Sequence, residues 1–454
     1  MLAITAALFM MVPTSAEAQT AVPEMVRVKL VEQADSLGFT VSGNYQLVDQ
    51  ATGRLIVKTK PGENWLVTLQ DGHVAIIGQG GRNGIYNGPV SVQAQTSQTS
   101  ILSGNGLQLD KEIGELSAIN SAGRVFALAS ARTGLSVKGA KGTVTLGEAG
   151  GLNLLTLISN SGTTRYRGEF EFRVEDGKLN AINVLNIEDY LCGVVPSESL
   201  SYWPEEALKA QAVAARNYAV QRMQATSGSY FNLVTNQSNQ VYGGYDAETK
   251  ATNQAVKDTS GIVMMSQGGL VTAFYHSSSG GFTENSEDVW SSPLPYIKWK
   301  SDPFDKNNNH YNWQVSYTNE QLAALMTKAG YPIKKVTDIQ IKERTSSGAR
   351  VKSLAVTGVG TTGKAVKLEI SNADQVRIAL GLKSSLFVLN KSYNKDKSLA
   401  GVKLTGSGFG HGLGMSQYGA YGMATQGYNY QDILEYYYSG VTLTGQYGRS
   451  LSMR

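Results

Sequence analysis

The spacing of apolar residues changes near Tyr190, and this change limits the folds that the chain can adopt. Over residues 26–81, short apolar runs alternate with polar residues and are separated by turns rich in Gly and Asn, the pattern of half-buried strands. A polar stretch over 78–105 interrupts this pattern, and strand-like runs resume over 130–187. Beyond Tyr190, apolar residues recur at helical spacing. We therefore predict an α+β protein in which a strand-rich N-terminal part precedes a mixed α+β domain.

The chain has 454 residues, which is more than one hydrophobic core usually organises. Changes in composition predict four segments: a signal peptide over 1–18, a strand-rich domain with a linker over 19–105, a second strand-rich region over 106–180, and the mixed α+β domain over 181–454. The sequence contains one cysteine, Cys192, so it cannot form an intrachain disulfide. Stability must therefore come from the packed cores.

The first residues of the chain have the composition of an export signal. An apolar run over 2–12 is followed by Ala16-Glu17-Ala18, a sequence typical of signal-peptidase sites, although no Lys or Arg precedes the run. The run is too short for a membrane-spanning helix, which needs about 20 residues. The net charge of +4 is spread along the chain without basic blocks, which suits an anionic wall surface and gives no support to nucleic-acid binding. We predict a secreted or cell-envelope protein.

A long helix is predicted over 204–223, because a proline and two glutamates open it and apolar residues recur along one side. The side expected to be buried carries Leu208, Ala212, Ala215 and Ala219. Lys209 and Arg216 are seven residues apart, so they lie nearly one above the other beside that stripe. Shorter helices are predicted over 319–329 and 430–438.

Glu198 is the first candidate for chemistry. It follows an apolar run and precedes the long helix, a position in which a carboxyl group can be partly desolvated. Desolvation raises the pKa of a carboxyl group and lets it hold a proton near neutral pH, as a general acid must. The alternative is that Glu198 only caps the start of a helix.

Two further segments carry polar residues among glycines. Residues 406–420 contain glycines at alternating positions around His411, so the backbone can approach a ligand closely. The segment lacks the Gly-Lys-Ser/Thr of a phosphate loop, so a sugar or a peptide is the better ligand, unless the segment is only a structural turn. Residues 273–284 contain His276 beside Ser277, but neighbouring strand residues point to opposite faces and cannot pair as base and nucleophile.

These segments occur together in a recognisable order. Residues 188–191, 193–198, 203–216, 275–281 and 410–420 resemble, in sequence, the family of the stage II sporulation protein D and the LytB amidase enhancer. The likeness extends over roughly 165–438. It identifies the last predicted segment as a catalytic domain of this type.

The resemblance implies a lytic transglycosylase that cleaves peptidoglycan glycan strands, in the sporulation members strands stripped of stem peptides. It places the catalytic glutamate at Glu198 and basic substrate-binding residues at Lys209 and Arg216, which would hold the lactyl carboxylates of muramic acid. Such an enzyme needs one carboxyl group, which protonates the glycosidic oxygen and then accepts the proton of the sugar's own 6-hydroxyl as that group attacks C1. The second carboxylate of ordinary glycosidases is not required.

Further site residues are expected from the same segments. Aromatic rings stack on the apolar faces of sugars, and the candidates are Tyr190, Trp203 and Tyr242. The remaining candidate substrate contacts are His276, His411, Ser416 and Gln417.

No cofactor is predicted. The family's sporulation members bind zinc, but residues 235–240 lack the expected cysteine, so no metal site is predicted. The expected partners are glycan strands and a cell-wall amidase. The rival prediction is a wall-binding modifier that enhances an N-acetylmuramoyl-L-alanine amidase without cutting glycan itself.

Overall fold

The computed structural model describes residues 25–79, 83–95, 152–236, 238–290, 292–306 and 308–445, together with the backbone of short strands between residues 100 and 146. The predicted signal peptide over 1–18 lies outside the described residues. Within the described ranges, no helix has the length and apolar character needed to cross a membrane.

The N-terminal half consists of strands. In chain order they are β1 (Met25–Ala34), β2 (Ser36–Val41), β3 (Tyr45–Asp49), β4 (Arg54–Lys58), β5 (Asn64–Gln70), β6 (His73–Gly78), β7 (Asn83–Tyr86), β8 (Val90–Ala94), β9 (Ser100–Ser103), β10 (Gly106–Leu109), β11 (Leu116–Ile119), β12 (Val125–Leu128), β13 (Leu135–Gly139), β14 (Gly142–Leu146), β15 (Leu155–Ser159), β16 (Gly162–Tyr166), β17 (Glu169–Glu175) and β18 (Lys178–Asn186).

The C-terminal half mixes helices with strands. Its helices are α1 (Ile187–Glu198), α2 (Glu205–Ala225), α3 (Lys250–Asp258), α4 (Ser286–Val289), α5 (Asn319–Lys328), α6 (Ala373–Ala379), α7 (Gln417–Thr425) and α8 (Tyr430–Tyr437). Its strands are β19 (Leu233–Val234), β20 (Val263–Ser266), β21 (Gly269–Leu270), β22 (Tyr275–His276), β23 (Trp313–Thr318), β24 (Ile333–Arg344), β25 (Val351–Gly360), β26 (Ala365–Ser371), β27 (Phe387–Tyr393), β28 (Leu399–Gly406), β29 (Met415–Ser416) and β30 (Thr442–Thr444). The predicted α+β class is confirmed.

Most N-terminal strands form two sheets that share one core, whereas β9 to β14 pair as three separate two-stranded sheets. The strand order is β19-β1-β18-β17-β8-β3-β4 in the first sheet and β16-β15-β2-β5-β6-β7 in the second. Buried aromatic side chains fill the space between them, with the ring of Phe39 5.3 Å from that of Phe172 and 6.2 Å from that of Trp65. Strands from 155–186 thus complete sheets begun by 25–94, so the boundary predicted at residue 105 does not separate two sheets. In the first sheet β17 and β18 lie between β1 and β8, and in the second sheet β15 pairs with β2.

The first sheet leads directly into the helices. β18 ends at Asn186, and α1 starts at the next residue and packs on α2. The predicted helix over 204–223 is confirmed as α2, and its apolar stripe of Leu208, Ala212, Ala215 and Ala219 is buried. The predictions for 319–329 and 430–438 are confirmed as α5 and α8.

The predicted domain over 181–454 contains two further large hydrophobic cores, besides a small cluster of Trp203, Leu208 and Ala255. One gathers α2, α7 and α8 around β22 and β29. The other is built from strands β23 to β28 with α5 and α6, and it lies between 313 and 404 in the chain. This second core interrupts the sequence between β22 and β29, which nevertheless pair in parallel. That pairing brings the two motif-bearing segments of the sequence side by side.

Candidate active site

Glu198 is the last residue of α1. The helix is capped at its start by Asn186, whose side chain accepts a hydrogen bond from the Glu188 N–H (2.9 Å). It stops at Ser199, whose backbone is extended while its N–H still donates to the Val195 carbonyl oxygen. Glu198 therefore does not cap a helix start, and the dipole of α1 disfavours a negative charge at this end. The alternative capping role is excluded by this position.

The carboxyl group of Glu198 is held by neighbours from distant segments. Its Oε1 accepts a hydrogen bond from the Val241 N–H (2.9 Å), and its backbone oxygen accepts one from Gln417 Nε2 (3.0 Å). Burial raises the pKa of Glu198 above its usual range, while hydrogen bonds from Val241, Gln417 and the Tyr275 hydroxyl oppose part of that shift. The group is thus suited to carry a proton at a higher pH than an exposed glutamate.

Glu198 lies where two pockets meet. The larger has a volume of about 440 Å³ and the smaller about 190 Å³. They share Ser197, Glu198, Ser277 and Gln417. Among the described residues that line either pocket, Glu198 is the only carboxylate. A chain-like ligand running through both pockets would pass this one carboxyl group in its middle.

The segment that contains His276 and the glycine-rich segment that contains His411 form one wall of the larger pocket. The Nδ1 of His276 donates to the Leu413 carbonyl oxygen (3.1 Å), and the Nδ1 of His411 accepts from the Leu413 N–H (2.9 Å). The ring centroids of the two histidines are 5.5 Å apart. Burial lowers the pKa of both rings, that of His411 to about 4. Burial thus favours the neutral form of both rings, which can offer polar contacts without charge.

A buried carboxylate, Asp305, joins the two segments. Its oxygens accept hydrogen bonds from the hydroxyl groups of Ser278, Ser279 and Ser416 and from the Gly280 N–H. Ser416 is fully buried in this network and caps α7, so the prediction that it contacts substrate is corrected. Gln417, the next residue along the chain, lines both pockets. Ser416 thus positions Gln417 and does not contact a ligand itself.

Comparison with known proteins shows which family the chain is similar to. Residues 175–265 match a family model described as stage II sporulation protein, and residues 286–414 match a domain of unknown function. Stage II sporulation protein D of Bacillus subtilis (strain 168) is 31% identical over 281 residues, which cover 58% of this chain and 76% of that protein. The chain belongs to the stage II sporulation protein D family.

Two other relatives show how far the likeness extends. An uncharacterized protein of Brachyspira hyodysenteriae is 30% identical over 283 residues, 61% of this chain and 72% of that protein. A protein of Bacillus subtilis named amidase enhancer is 32% identical over 297 residues, 56% of this chain. The match spans 40% of the length of that enhancer.

Lys209 and Arg216 lie within the part matched by the family model, but the structure does not bring them to the pockets. Arg216 is 1% exposed, and its guanidinium group pairs with the Glu188 carboxylate (2.7 Å) and donates to the Ile262 carbonyl oxygen. Lys209 pairs with Glu205 (2.5 Å), the first residue of α2. The predicted substrate contacts of Lys209 and Arg216 are corrected, because each cation is neutralised by acids of its own surroundings. Arg216 instead ties α1 to α2.

Two of the three predicted aromatic platforms are part of the core. Tyr190 is fully buried and donates to Gln240, and Tyr242 is 6% exposed and donates to Asn183, so neither ring can stack on a sugar. Trp203 is also largely buried but lines the smaller pocket, where its ring lies 5.2 Å from that of Tyr418. The prediction is thus corrected for Tyr190 and Tyr242. Trp203 lines the smaller pocket together with Tyr418, which was not among the predicted site residues.

Several pocket residues had no signal in the sequence. They include Trp290 and Arg377 in the larger pocket and His310 in the smaller one. Tyr418 of the smaller pocket lies within the 410–420 segment but was not among the predicted site residues. Trp290, His310 and Arg377 all come from the segment that matches the domain of unknown function. Their proximity depends on how that segment packs, which no local pattern records.

Cys192 is buried within α1. In the described part of the chain, no group of three or more His, Cys, Asp or Glu is placed to hold a metal ion.

Proposed function

We propose that this protein is a lytic transglycosylase that cleaves the glycan strands of peptidoglycan, with Glu198 as its single acid and base. The observation that supports the proposal is the position of Glu198: its raised pKa coincides with the junction of two pockets in which no other described lining residue is a carboxylate. An ordinary glycosidase needs two carboxyl groups, whereas a lytic transglycosylase needs one.

The reaction that fits this geometry has two proton transfers. Glu198 donates its proton to the oxygen of the glycosidic bond, which breaks and leaves an oxocarbenium-like centre at C1 of the muramic residue. The resulting carboxylate then accepts the proton of the 6-hydroxyl of that muramic residue, while the oxygen of the 6-hydroxyl bonds to C1. The products are a 1,6-anhydromuramic end and a free 4-hydroxyl, and Glu198 is protonated again. Water is not consumed.

Mass spectrometry of the products tests the proposal. The protein alone is incubated with glycan strands, in one arm stripped of stem peptides and in the other intact. We expect anhydromuramic ends from the stripped strands. New reducing ends would mean hydrolysis instead, and unchanged strands would mean that the protein is not a glycan-cleaving enzyme.

The pH dependence of the reaction is expected to follow Glu198. Only the protonated carboxyl group can donate to the leaving oxygen, so kcat/KM falls as the pH rises through the pKa of the free enzyme. Burial raises that pKa above the ordinary 4.5, so activity is expected to persist to a higher pH than an unperturbed glutamate would allow. Rates on stripped strands across a pH series check this. An increase in kcat/KM with rising pH over the same range would contradict it.

A second candidate function rests on one relative, which is named amidase enhancer. Under this proposal the pockets grip a glycan strand and present it to a partner amidase without cutting it. The protein alone would then release no anhydro ends, yet it would accelerate an added N-acetylmuramoyl-L-alanine amidase. The same incubation, repeated with the amidase present, separates the two functions.

Either function requires the protein to reach the cell wall. We propose that it is exported and that a signal peptidase cuts after Ala18. N-terminal sequencing of the protein recovered from the envelope fraction is expected to begin at Gln19. A mature protein that retains Leu2 to Val12 would contradict the proposed cleavage.

A further inference from the structure

The larger pocket has a cation in its wall that the proposed reaction does not use. Arg377 lies on α6, and among the described residues that line this pocket it is the only Lys or Arg. Its side chain is 25% exposed. Arg377 comes from the segment over 286–414, whereas Glu198 comes from the segment over 175–265 that matches the stage II sporulation protein model. One segment thus contributes a cation to the pocket and the other contributes a carboxyl group.

Arg377 is held in a fixed orientation. Its Nε donates to Asp374 Oδ1 (2.8 Å), and the other oxygen of Asp374 lies 3.5 Å from Nε1 of Trp290. Among the described residues, the guanidinium group of Arg377 donates through Nε, and neither Nη atom makes a hydrogen bond. A guanidinium group held by one edge keeps further N–H donors for an incoming acceptor, and a carboxylate matches that geometry.

An aromatic wall lies beside this cation. The ring of Trp290 is 4.6 Å from that of Phe274 and 5.2 Å from that of His411, and all three line the pocket. Because Asp374 contacts both Trp290 and Arg377, the aromatic face and the charged group are positioned by one residue. A ligand that fits both features has an apolar ring face and a carboxylate on the same unit. An N-acetylglucosamine unit has the face but not the charge.

We infer that Arg377 binds the lactyl carboxylate of the muramic residue whose glycosidic bond is cleaved. This inference rests on the proposed glycan-cleaving function and adds a direction to it. The muramic unit would occupy the larger pocket, with its C1 toward Glu198. The following N-acetylglucosamine unit would extend into the smaller pocket, which is lined by Trp203, His310 and Tyr418 and contains neither Lys nor Arg among its described residues. A stem peptide would convert the same carboxylate into a neutral amide, so stripped strands would be preferred.

Binding to an inactive background tests the inference separately from catalysis. Arg377→Gln is introduced into the Glu198→Gln variant, and dissociation constants are measured for stripped strands and for the same strands with their lactyl carboxylates converted to methylamides. We expect Arg377→Gln to weaken binding of the carboxylate strands by about 10- to 100-fold, the usual effect of losing a charge-assisted contact. Binding of the methylamide strands should be unchanged.

The chain offers a matched control in Lys391→Gln. Lys391 is 24% exposed, pairs with Asp338 (2.6 Å), lies in the same 286–414 segment and lines neither pocket. The Lys391→Gln variant should bind both kinds of strand with the dissociation constants of the parent protein. Arg377→Lys, which keeps the charge but not the planar fork, should recover part of the loss.

Equal weakening of both kinds of strand, or no weakening of either, would overturn the inference. A loss confined to the methylamide strands would also overturn it, because the charge of the lactyl carboxylate would then not be what Arg377 binds. Failure of the proposed function has a different signature: the parent protein would make no anhydro ends, while the contrast between carboxylate and methylamide binding would still be measurable.

Discussion

Replacement of Glu198 by Gln is expected to lower the formation of anhydromuramic ends from stripped strands by about 10²- to 10⁴-fold, the usual contribution of a positioned general acid. Gln has nearly the same shape as Glu, and its amide oxygen can still accept the hydrogen bond that the Val241 N–H donates to Oε1. An amide cannot give a proton to the leaving oxygen. Mass spectrometry of the released ends, quantified against time, measures the effect.

The control for this variant must show that binding and folding survive. Glu205→Gln removes a carboxylate that is 60% exposed and pairs with Lys209 at the start of α2, away from both pockets. It should retain the parent's activity. The Glu198→Gln variant should unfold at the parent's temperature and still be retained by stripped strands. If it made anhydro ends at the parent's rate, Glu198 would not be the acid and the proposed mechanism would be wrong.

The strands and most long helices could be predicted from the sequence because their signals are local. Alternating burial along β2 and β3 follows the alternation of apolar residues, and α2 shows its buried stripe directly. α1 was not predicted, because Gly193 and Pro196 weigh against a helix. Close packing explains the glycine: a Cβ at Gly193 would lie 2.6 Å from the ring of Tyr242. Tertiary contact thus decides a helix that propensity alone disfavours.

The site could be predicted only in part, because helix spacing shows which residues share a face but not what that face meets. The segments that contain Glu198 and His411 do meet at one pocket. Arg216 pairs with the carboxylate of Glu188. Glu188 lies in α1, which was not predicted to be a helix. Arg377 lies far along the chain from Glu198 and has no motif around it, so only the folded chain reveals its place in the pocket.

The segment over 286–414 is also tied to the pocket by a buried ion pair. Arg350 and Glu284 are both 0% exposed, with Nε and Oε1 3.7 Å apart. Arg350 donates as well to the carbonyl oxygen of Ser279, within the segment that contains His276. It also passes so close to the glycine-rich segment that a Cβ at Gly412 would lie 2.5 Å from its Nε. The charged side chain thus fills a space between the two segments that form one wall of the larger pocket.

Arg350→Met is therefore expected to lower the free energy of unfolding by about 3–5 kcal/mol, because it leaves the buried carboxylate of Glu284 without its countercharge. Burial already raises the pKa of Glu284, and loss of the Arg350 charge raises it further. A folded-state pKa above the unfolded value makes stability fall as pH rises, so the deficit should be larger at alkaline than at mildly acidic pH. Urea unfolding at two pH values measures both effects.

The control is Arg165→Met, which breaks the ion pair between Arg165 and Asp246, whose side chains are 51% and 37% exposed. It should lower the free energy of unfolding by less than about 1 kcal/mol. A deficit for Arg350→Met no larger than that of Arg165→Met, and independent of pH, would mean that Glu284 is already neutral in the folded protein and that the contact is packing alone.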